Sequence, residues 1–419
     1  MPGYDAIVAG AGPGGAATAA LLARGGATVL LVDRSVFPRD KACGGGLTPR
    51  GVAAAERVGV DTTDPAFVRV GGVGMWGDGR SSASAFPETT RWPSHGVVAR
   101  RADLDQLVLD EALRAGAEFR PGVRVLGPVV EDGVCRGVRV VSNGSRDEWL
   151  ADHTIAADGA TSVLARGMGL GPRSGTGGFW YTALRSYMGP VEPRVGSGGP
   201  LLEFYPLRTA DGRWLPAYGW VFPLPGGVAN VGVDLPHRPA LRGCPHPRKA
   251  YDAFVQRMRQ ERPGFADASE EAAPVGALLP EAMAGFRPAA TGLLCVGDAA
   301  GMIVPYSGEG IVYALESAEH AAAAVLGSRR PSEVAASYEA VLDDAYGFHF
   351  RTSLAIMKAM RRPALARVAA TLGIGRDRAF RAAVRVMAYL IDPDAGSSVS
   401  KGYLAAERAV RRGVRRART

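Results

Sequence analysis

The chain has 419 residues, of which 47% are hydrophobic and 21% charged, and its net charge is +8 at pH 7. This length and apolar content suffice for a large core and predict two or three domains. No apolar run approaches the roughly 20 residues that a membrane-spanning helix needs, and the N-terminal MPGYDAIVAGAG lacks the basic region of a signal peptide. We therefore expect a globular cytoplasmic protein.

The cysteines and histidines show no pattern that predicts a special site. Cys43, Cys135, Cys244 and Cys295 are scattered along the chain and form no CxxC pair. The six histidines are also dispersed and have none of the spacings that hold a metal ion. The sequence thus predicts neither a disulfide framework nor a bound metal.

The N-terminal residues predict a dinucleotide-binding unit. Residues 4–9, YDAIVA, are an apolar run typical of a buried strand, and Gly10, Gly12 and Gly15 follow in GxGxxG spacing. These glycines permit a tight turn, the approach of backbone amides to a pyrophosphate, and close packing of helix on strand. After a helix of small residues, a second strand ends in Asp33, about 20 residues on, where a carboxylate can bind ribose hydroxyls. The unit does not distinguish NAD from FAD.

Two segments in the middle of the chain favour FAD. Arg101, Asp105 and Leu107 resemble an arginine–aspartate–leucine pattern of many FAD-dependent oxidoreductases, in which the arginine lies along the dinucleotide. An ordinary amphipathic helix is the alternative. In TIAADGATSVLAR, Asp158 and Ser162 resemble an aspartate–glycine region of the same flavoproteins, and a turn with a helix cap is the alternative.

A third segment, TGLLCVGDAAGMIVPYSGEG, begins at Thr291 and predicts a strand that ends at Asp298. A glycine-rich loop then leads through Gly308 and Gly310 into a long helix of small residues. The carboxylate can accept hydrogen bonds from ribityl hydroxyls, and the helix N-terminus can stabilise negative charge on a reduced flavin. Together with the N-terminal unit, this segment predicts FAD as the cofactor.

These motifs resemble the FAD-dependent fold shared by aromatic hydroxylases, flavin halogenases and geranylgeranyl reductases. The resemblance implies an α/β fold with a Rossmann-like FAD-binding domain, an inserted β-sheet substrate domain and a C-terminal helical region. The expected boundaries are 1–67, 96–170 and 285–330 for the FAD-binding domain, 68–95 and 171–284 for the substrate domain, and 331–419 for the helical region.

The stretch PRDKACGGGLTP resembles the PxxKxCGGGLxP signature of the geranylgeranyl reductase family. A loop that passes beside the flavin ring must lack side chains, so Gly44, Gly45 and Gly46 would let the backbone lie against the ring. Cys43 would then point toward the space where the substrate meets the flavin. The alternative for Cys43 is a small buried hydrophobic residue.

The stretch YGWVFPLPGGVANVGVD, from Tyr218, resembles the same family's YxWxFP motif followed by GxG. Asp234 stands where the last glycine of that motif is expected, which is a departure from the family. Tyr218, Trp220 and Phe222 alternate along the predicted strand, so all three face the same side. Such an aromatic wall suits a long apolar chain, and ordinary core packing is the alternative.

The resemblance predicts an FAD-dependent reductase that saturates carbon–carbon double bonds of an isoprenoid. The substrate is expected to be of geranylgeranyl type, a menaquinone side chain or a prenylated metabolite, and the electron donor is NAD(P)H or a redox protein. The implied catalytic residues are Cys43, Tyr218, Trp220 and Tyr306. The implied FAD-binding residues are Gly10, Gly12, Gly15, Asp33, Arg34, Cys43, Gly44, Gly45, Arg101, Val125, Asp158, Asp298, Gly308, Gly310 and Ile311.

Two other functions stay open. The first is an FAD-dependent monooxygenase or halogenase, because WVFP resembles a halogenase tryptophan motif. Against it, Gly301 stands where aromatic hydroxylases usually carry a histidine, and YSGEG replaces the serine-rich stretch that is usual in halogenases. The second is a non-catalytic prenyl carrier, against which the intact FAD motifs argue.

From residue 331 the apolar residues recur at helical spacing, with breaks expected at Pro363 and Gly373. These helices either pack on their neighbours or close an apolar tunnel for a prenyl chain. The final AERAVRRGVRRART has six arginines and one glutamate. This pattern suits either a solvated helix end or contact with anionic lipid at the inner face of the membrane. No motif predicts nucleic-acid binding.

Overall fold

The computed structural model describes most of the chain, namely residues 3–170, 179–209, 211–237, 244–281, 286–328, 330–362, 364–368 and 374–416. Its helices include α1 (Pro13–Arg24), α2 (Pro49–Val58), α3 (Arg101–Arg114), α4 (Val163–Gly167), α5 (Pro247–Glu261), α6 (Ile311–Gly327), α7 (Pro331–Met360), α8 (Asp377–Met387) and α9 (Ser398–Arg416). The strands of the first half are β1 (Tyr4–Ala9), β2 (Val29–Asp33), β3 (Gly46–Leu47), β4 (Val68–Val70), β5 (Gly72–Gly77), β6 (Arg80–Ala85), β7 (Gly96–Val98), β8 (Glu118–Pro121), β9 (Arg124–Glu131), β10 (Val134–Ser142) and β11 (Ser145–Ala156). The later strands are β12 (Phe179–Gly189), β13 (Val195–Gly196), β14 (Gly199–Arg208), β15 (Trp214–Leu224), β16 (Val228–Pro236), β17 (Ser269–Glu270), β18 (Val275–Glu281), β19 (Ala289–Ala290) and β20 (Leu293–Cys295).

A largely parallel sheet organises the N-terminal half of the chain. Its main strand order is β19-β20-β11-β1-β2-β8, and β10 and β9 extend it from β11. Strand β1 pairs in parallel with both β2 and β11, so Ala6 is opposite Val29 and His153. The inner residues of β1 and β2 are apolar and buried, as expected for strands covered on both faces. Helix α1 packs against α3 and α6 over this sheet.

The second sheet has nine strands, with the main order β17-β12-β16-β15-β14-β5-β6. It is antiparallel except between β14 and β5, where Leu201 is opposite Gly72. Strands β5 and β6 therefore join strands that lie more than 100 residues later, whereas β4 pairs with β7 in a separate three-stranded sheet. The predicted α/β fold is confirmed, and the domain boundaries stay a prediction.

Helices α7, α8 and α9 follow the two sheets, so the helical character predicted for the end of the chain is confirmed. The predicted breaks at Pro363 and Gly373 lie outside the described residues. Helix α8 buries Phe380 and Val384 in the same apolar cluster as Trp220 and Phe222 of β15. In the described part of the chain, no helix has the length and apolar character needed to cross a membrane.

Candidate active site

The turn between β1 and α1 has the geometry of a phosphate cradle. Gly12 is the N-cap of α1, and no side chain caps the first turn of that helix. A Cβ on Gly15 would lie 1.8 Å from the carbonyl oxygen of Gly10, so a side chain there would separate the turn from the helix. Asp33, at the end of β2, accepts a hydrogen bond from the Ala11 N–H at 2.8 Å. Uncapped N–H groups at a helix N-terminus suit a pyrophosphate, so these residues fit FAD.

Arg101 begins α3 beside the glycine loop. Its guanidinium forms two hydrogen bonds of 2.8 Å with the carboxylate of Asp105, one turn later. It also contacts the thiol of Cys43. Burial alone would lower the pKa of Arg101, but Asp105 and Cys43 together raise it, so the group stays charged. The arginine thus presents a positive charge to the loop that precedes the glycines.

The loop from Asp298 to Ile311 forms a second cradle. Asp298 follows β20 and forms an ion pair of 3.1 Å with Lys41, a lysine that the sequence analysis did not assign to the site although it belongs to the PxxKxCGGGLxP signature. Gly308 has a φ of +65°, and a Cβ there would lie 2.3 Å from the Tyr218 hydroxyl oxygen. Gly310 is the N-cap of α6, and no side chain caps that turn. Gly310 and Ile311 at the start of α6 line the cavity, and a helix N-terminus favours negative charge nearby.

The three glycines after Cys43 pack tightly against the protein itself. A Cβ on Gly44 would lie 2.8 Å from the ring of Phe222. Gly45 has a φ of +71°, and a Cβ there would lie 2.1 Å from the carbonyl oxygen of Ala99. The structure thus gives the glycine run a packing reason in addition to the predicted approach of a flavin.

The aromatic wall is tied to this loop by hydrogen bonds. Tyr218, Trp220 and Phe222 share one face of β15 and line the same cavity. The Trp220 indole N–H donates to the Asn230 side-chain oxygen at 3.0 Å, and the Asn230 amide donates to the Cys43 carbonyl at 2.7 Å. Asn230 is fully buried. Asn230 was not predicted from the sequence, because its partner Cys43 lies 187 residues away.

The glycine loop, the aromatic wall and the C-terminal helices enclose one cavity of about 750 Å³. The lining is mainly apolar, and at the far end it is formed by side chains of α7 and α8 such as Met357, Phe380 and Met387. The cavity brings together most of the residues singled out from the sequence, namely Gly12, Gly15, Cys43, Gly44, Gly45, Arg101, Tyr218, Trp220, Asp298, Tyr306, Gly308, Gly310 and Ile311.

Five of the predicted cofactor residues are not on the cavity wall. Gly10 and Asp33 belong to the adjoining phosphate cradle described above. Arg34 is exposed, and Val125 is half-buried against the core of the parallel sheet. The Asp158 carboxylate accepts hydrogen bonds from the first N–H groups of α4, at 2.8 and 3.4 Å, which is the helix-cap alternative considered from the sequence. Its other carboxylate oxygen is buried without a hydrogen-bond partner among the described residues.

Three titratable groups on the cavity wall have pKa values shifted by burial. Burial raises the pKa of Asp234 and of Glu309 to about 7. Burial also raises the pKa of Tyr306, whose hydroxyl donates to the Val386 carbonyl of α8 at 3.1 Å. A carboxylic acid with a pKa near 7 can donate a proton at neutral pH. Tyr306 is a much weaker acid and donates its proton far less readily. Glu309 was not singled out from the sequence, and Asp234 only as a departure from the motif.

Comparison with known proteins agrees with this geometry. A model of the FAD binding domain family matches residues 3–193. The menaquinone reductase of Mycolicibacterium smegmatis is 32% identical over 412 residues, which cover 97% of each chain.

Two solved structures share the fold at low sequence identity. A geranylgeranyl bacteriochlorophyll reductase-like protein from Thermoplasma acidophilum has a TM-score of 0.72 at 23% identity, and the match covers 96% of each chain. A flavin-dependent brominase has a TM-score of 0.73 at 16% identity, with 98% of this chain and 100% of that chain covered. The fold alone therefore does not separate reductases from halogenases. The chain belongs to the geranylgeranyl reductase-like family of FAD-dependent oxidoreductases.

Proposed function

We propose that this FAD-dependent oxidoreductase saturates carbon–carbon double bonds in the isoprenoid side chain of a menaquinone-type quinone. The observation that carries the proposal is the cavity of about 750 Å³, which runs from the glycine loop to α8 between apolar and aromatic walls. Such a cavity accommodates a long hydrocarbon chain and offers few groups that would hold a polar substrate. The similarity to the mycobacterial menaquinone reductase over 97% of the chain supports the quinone as substrate.

The residues of the chain would contribute binding, orientation and exclusion of water. Gly12 and Gly15 leave room for the phosphates, and the N-terminus of α6 faces the site. FAD, when bound and reduced, supplies the hydride. The rings of Tyr218, Trp220 and Phe222 would align the hydrocarbon chain, since the mainly apolar lining around them excludes water. The catalytic roles of Cys43 and Tyr306 stay predictions.

The proposal is tested by single-turnover chemistry without oxygen. Purified protein containing FAD is reduced with dithionite and mixed with a menaquinone that has an unsaturated side chain. After the quinol ring has been reoxidised in air, we expect the side chain to have gained the mass of two hydrogens for each saturated bond. A parallel reaction with NADPH in place of dithionite reports whether a nicotinamide can serve as the electron donor. The proposal would be contradicted if every side-chain double bond of the quinone were recovered intact, and if geranylgeranyl compounds offered in its place also kept all their double bonds.

A halogenase or monooxygenase is the second candidate, because the brominase shares the fold over 98% of this chain. The two candidates differ in their need for oxygen. A reductase turns over under anaerobic conditions, whereas a halogenase or monooxygenase consumes oxygen in proportion to product. Oxygen uptake coupled to product formation would favour this second function.

We also propose that α9 brings the protein to an anionic membrane surface. Val410 and Arg408 are both exposed on this helix, and further arginines follow them in the sequence. Arginines next to an exposed apolar residue suit the interface of a bilayer. Co-sedimentation with vesicles that contain anionic lipid should exceed that with neutral vesicles and should fall at high salt. Equal binding to both vesicle types would contradict the electrostatic contact.

A further inference from the structure

Asp234 is a buried carboxyl group on the cavity wall that the fold does not need. It lies on β16 directly opposite Tyr218 of β15, and it is 2% exposed. Among the described residues, its Oδ1 atom is buried and has no hydrogen-bond partner. A buried polar atom without a partner costs free energy of folding, so a purely structural role would favour another residue here. The glycine expected at this position of the motif would remove that cost.

Burial favours the protonated form of Asp234, although two hydrogen bonds oppose it. The Tyr218 hydroxyl donates to the Ser307 carbonyl at 2.9 Å, and a carbonyl oxygen can only accept. Tyr218 also contacts the Asp234 side chain, and hydrogen bonds from Tyr218 and from the Leu235 N–H lower the pKa of Asp234. Burial outweighs both and raises that pKa to about 7. A large share of the group is therefore the neutral acid at neutral pH.

The charged groups around Asp234 are engaged with other partners. Arg185, on the neighbouring β12, donates to the Asp40 carboxylate and to the Lys41 carbonyl. Glu309, in the loop after Ser307, accepts a hydrogen bond of 2.6 Å from the Thr48 hydroxyl. Within the part of the chain that the structure describes, no cation forms an ion pair with Asp234. A neighbouring cation would stabilise the carboxylate and lower the pKa of Asp234. Since none forms an ion pair with it in the described residues, the protonated form is not disfavoured in this way.

We propose that Asp234 is the acid that protonates the substrate's double bond, an inference that rests on the proposed isoprenoid reductase function. The π electron pair of the alkene forms a C–H bond with the Asp234 proton, and the O–H pair stays on Asp234 as a carboxylate. Reduced FAD, when bound, would supply hydride for the other alkene carbon, and the two electrons that the alkene gains would be those that FAD loses. Asp234 regains its proton from water when the product leaves.

The first test uses the substitution Asp234→Asn, which keeps the size of the side chain and removes the acid. In deuterium oxide without oxygen, the dithionite-reduced wild type should add two deuterium atoms to each saturated bond of an unsaturated menaquinone, because the hydrogen that reduced FAD donates also comes from solvent. The deuterium at the carbon that Asp234 protonates should have a single stereochemistry. Asp234→Asn should lower kcat about 100-fold or more. The FAD absorbance spectrum and the Kd for the quinone should stay unchanged. Asp252→Asn, on the exposed face of α5, is the matched control and should keep the wild-type rate.

The conservative substitution Asp234→Glu separates acid chemistry from structure. It restores a carboxylic acid, so it should recover more of the rate than Asp234→Asn, and the deuterium should keep its stereochemistry. The wild-type rate should fall as the pH rises above about 7, because only the protonated form can donate. Full activity of Asp234→Asn with unchanged stereochemistry would overturn the proposal. Loss of side-chain saturation in Glu309→Gln but not in Asp234→Asn would overturn it as well.

A second measurement does not depend on turnover. Infrared spectra of protein labelled with ¹³C-aspartate should show a protonated carboxyl band at pH 6 that fades as the pH rises through about 7. The band should be absent in Asp234→Asn. If the wild type lacks the band at pH 6, Asp234 is ionised and cannot be the acid. A wild type that shows the band but saturates no isoprenoid would overturn the proposed function, and the acid role with it.

Discussion

At the scale of single residues, the link between the glycine loop and the aromatic wall determines the shape of the site. Asn230 bridges the Trp220 indole and the Cys43 carbonyl, so the backbone of the loop and the ring of the wall are held at a fixed separation. Gly44 packs so closely against Phe222 that a Cβ at this position would collide with the ring. The site is therefore preorganised by contacts within the protein.

The substitution Gly44→Ala should destabilise the protein. The added methyl group would approach Phe222 to 2.8 Å, and overpacking of this kind costs about 1–3 kcal/mol. Urea unfolding followed by tryptophan fluorescence measures this loss. Gly402→Ala is the control, since nothing lies within 4 Å of a Cβ at that position of α9, and it should be neutral or stabilising. Equal stability of Gly44→Ala and wild type would contradict the packing explanation.

The residues of the site were predictable from sequence only where they belong to a contiguous motif. Cys43 and Trp220 were found because short signatures contain them, and both line the cavity. Asn230 and Glu309 were missed, since their roles depend on partners that the fold brings from distant segments. No spacing rule predicts that an asparagine will reach a carbonyl 187 residues away.

At the scale of elements, a buried ion pair joins α5 to the second sheet. Arg262, which follows α5, forms hydrogen bonds of 2.6 and 3.0 Å with the carboxylate of Glu203 on β14. Both side chains are 1% exposed. The Tyr205 hydroxyl also donates to Glu203, so the carboxylate is well satisfied. Because water does not reach this pair, loss of either partner leaves a buried charge uncompensated.

The substitution Glu203→Gln should therefore lower the free energy of unfolding by about 3 kcal/mol or more. The matched control is Glu261→Gln, which removes the exposed pair that Glu261 forms with Arg257 on α5. That change should cost less than about 1 kcal/mol, because solvent screens an exposed pair. Urea unfolding followed by circular dichroism compares the two variants. Similar losses in both would show that burial does not set the strength of the Glu203 pair.

The order of the N-terminal elements was predictable, whereas the pairing of the second sheet was not. The sequence indicated β1, α1 and β2 because apolar runs and glycines mark their limits, and the structure contains all three. The parallel pairing of β14 with β5 joins segments more than 100 residues apart. Such a pairing depends on the complementarity of two folded segments, which hydrophobic periodicity does not record.

At the scale of the whole molecule, the cavity imposes a dependence of stability on pH. Asp234 and Glu309 have pKa values raised by burial to about 7, whereas the same groups titrate near 4 in an unfolded chain. At pH values between about 4 and 7, these two carboxyl groups bind more protons in the folded state than in the unfolded state. Stability from these groups is therefore fully present below pH 4 and is lost as the pH rises through about 7.

The protein should accordingly lose stability between pH 5 and pH 8, and Asp234→Asn should reduce that loss by an amount on the order of 1 kcal/mol or more. The measurement is urea unfolding at a series of pH values for the wild type and for Asp234→Asn. Other titrating groups are common to both proteins, so the difference between the two curves isolates Asp234. Parallel curves would show that this carboxyl has the same pKa in the folded and unfolded states.

The cavity is lined by residues from Gly12 near one end of the chain to Val399 near the other. On the ribosome, the first phosphate cradle is complete long before the last wall of the pocket has been made. Until α8 emerges, Trp220 and Phe222 lack the apolar cover that Phe380 and Val384 give them. The nascent protein therefore exposes an aggregation-prone aromatic surface until α8 has been synthesised and covers it.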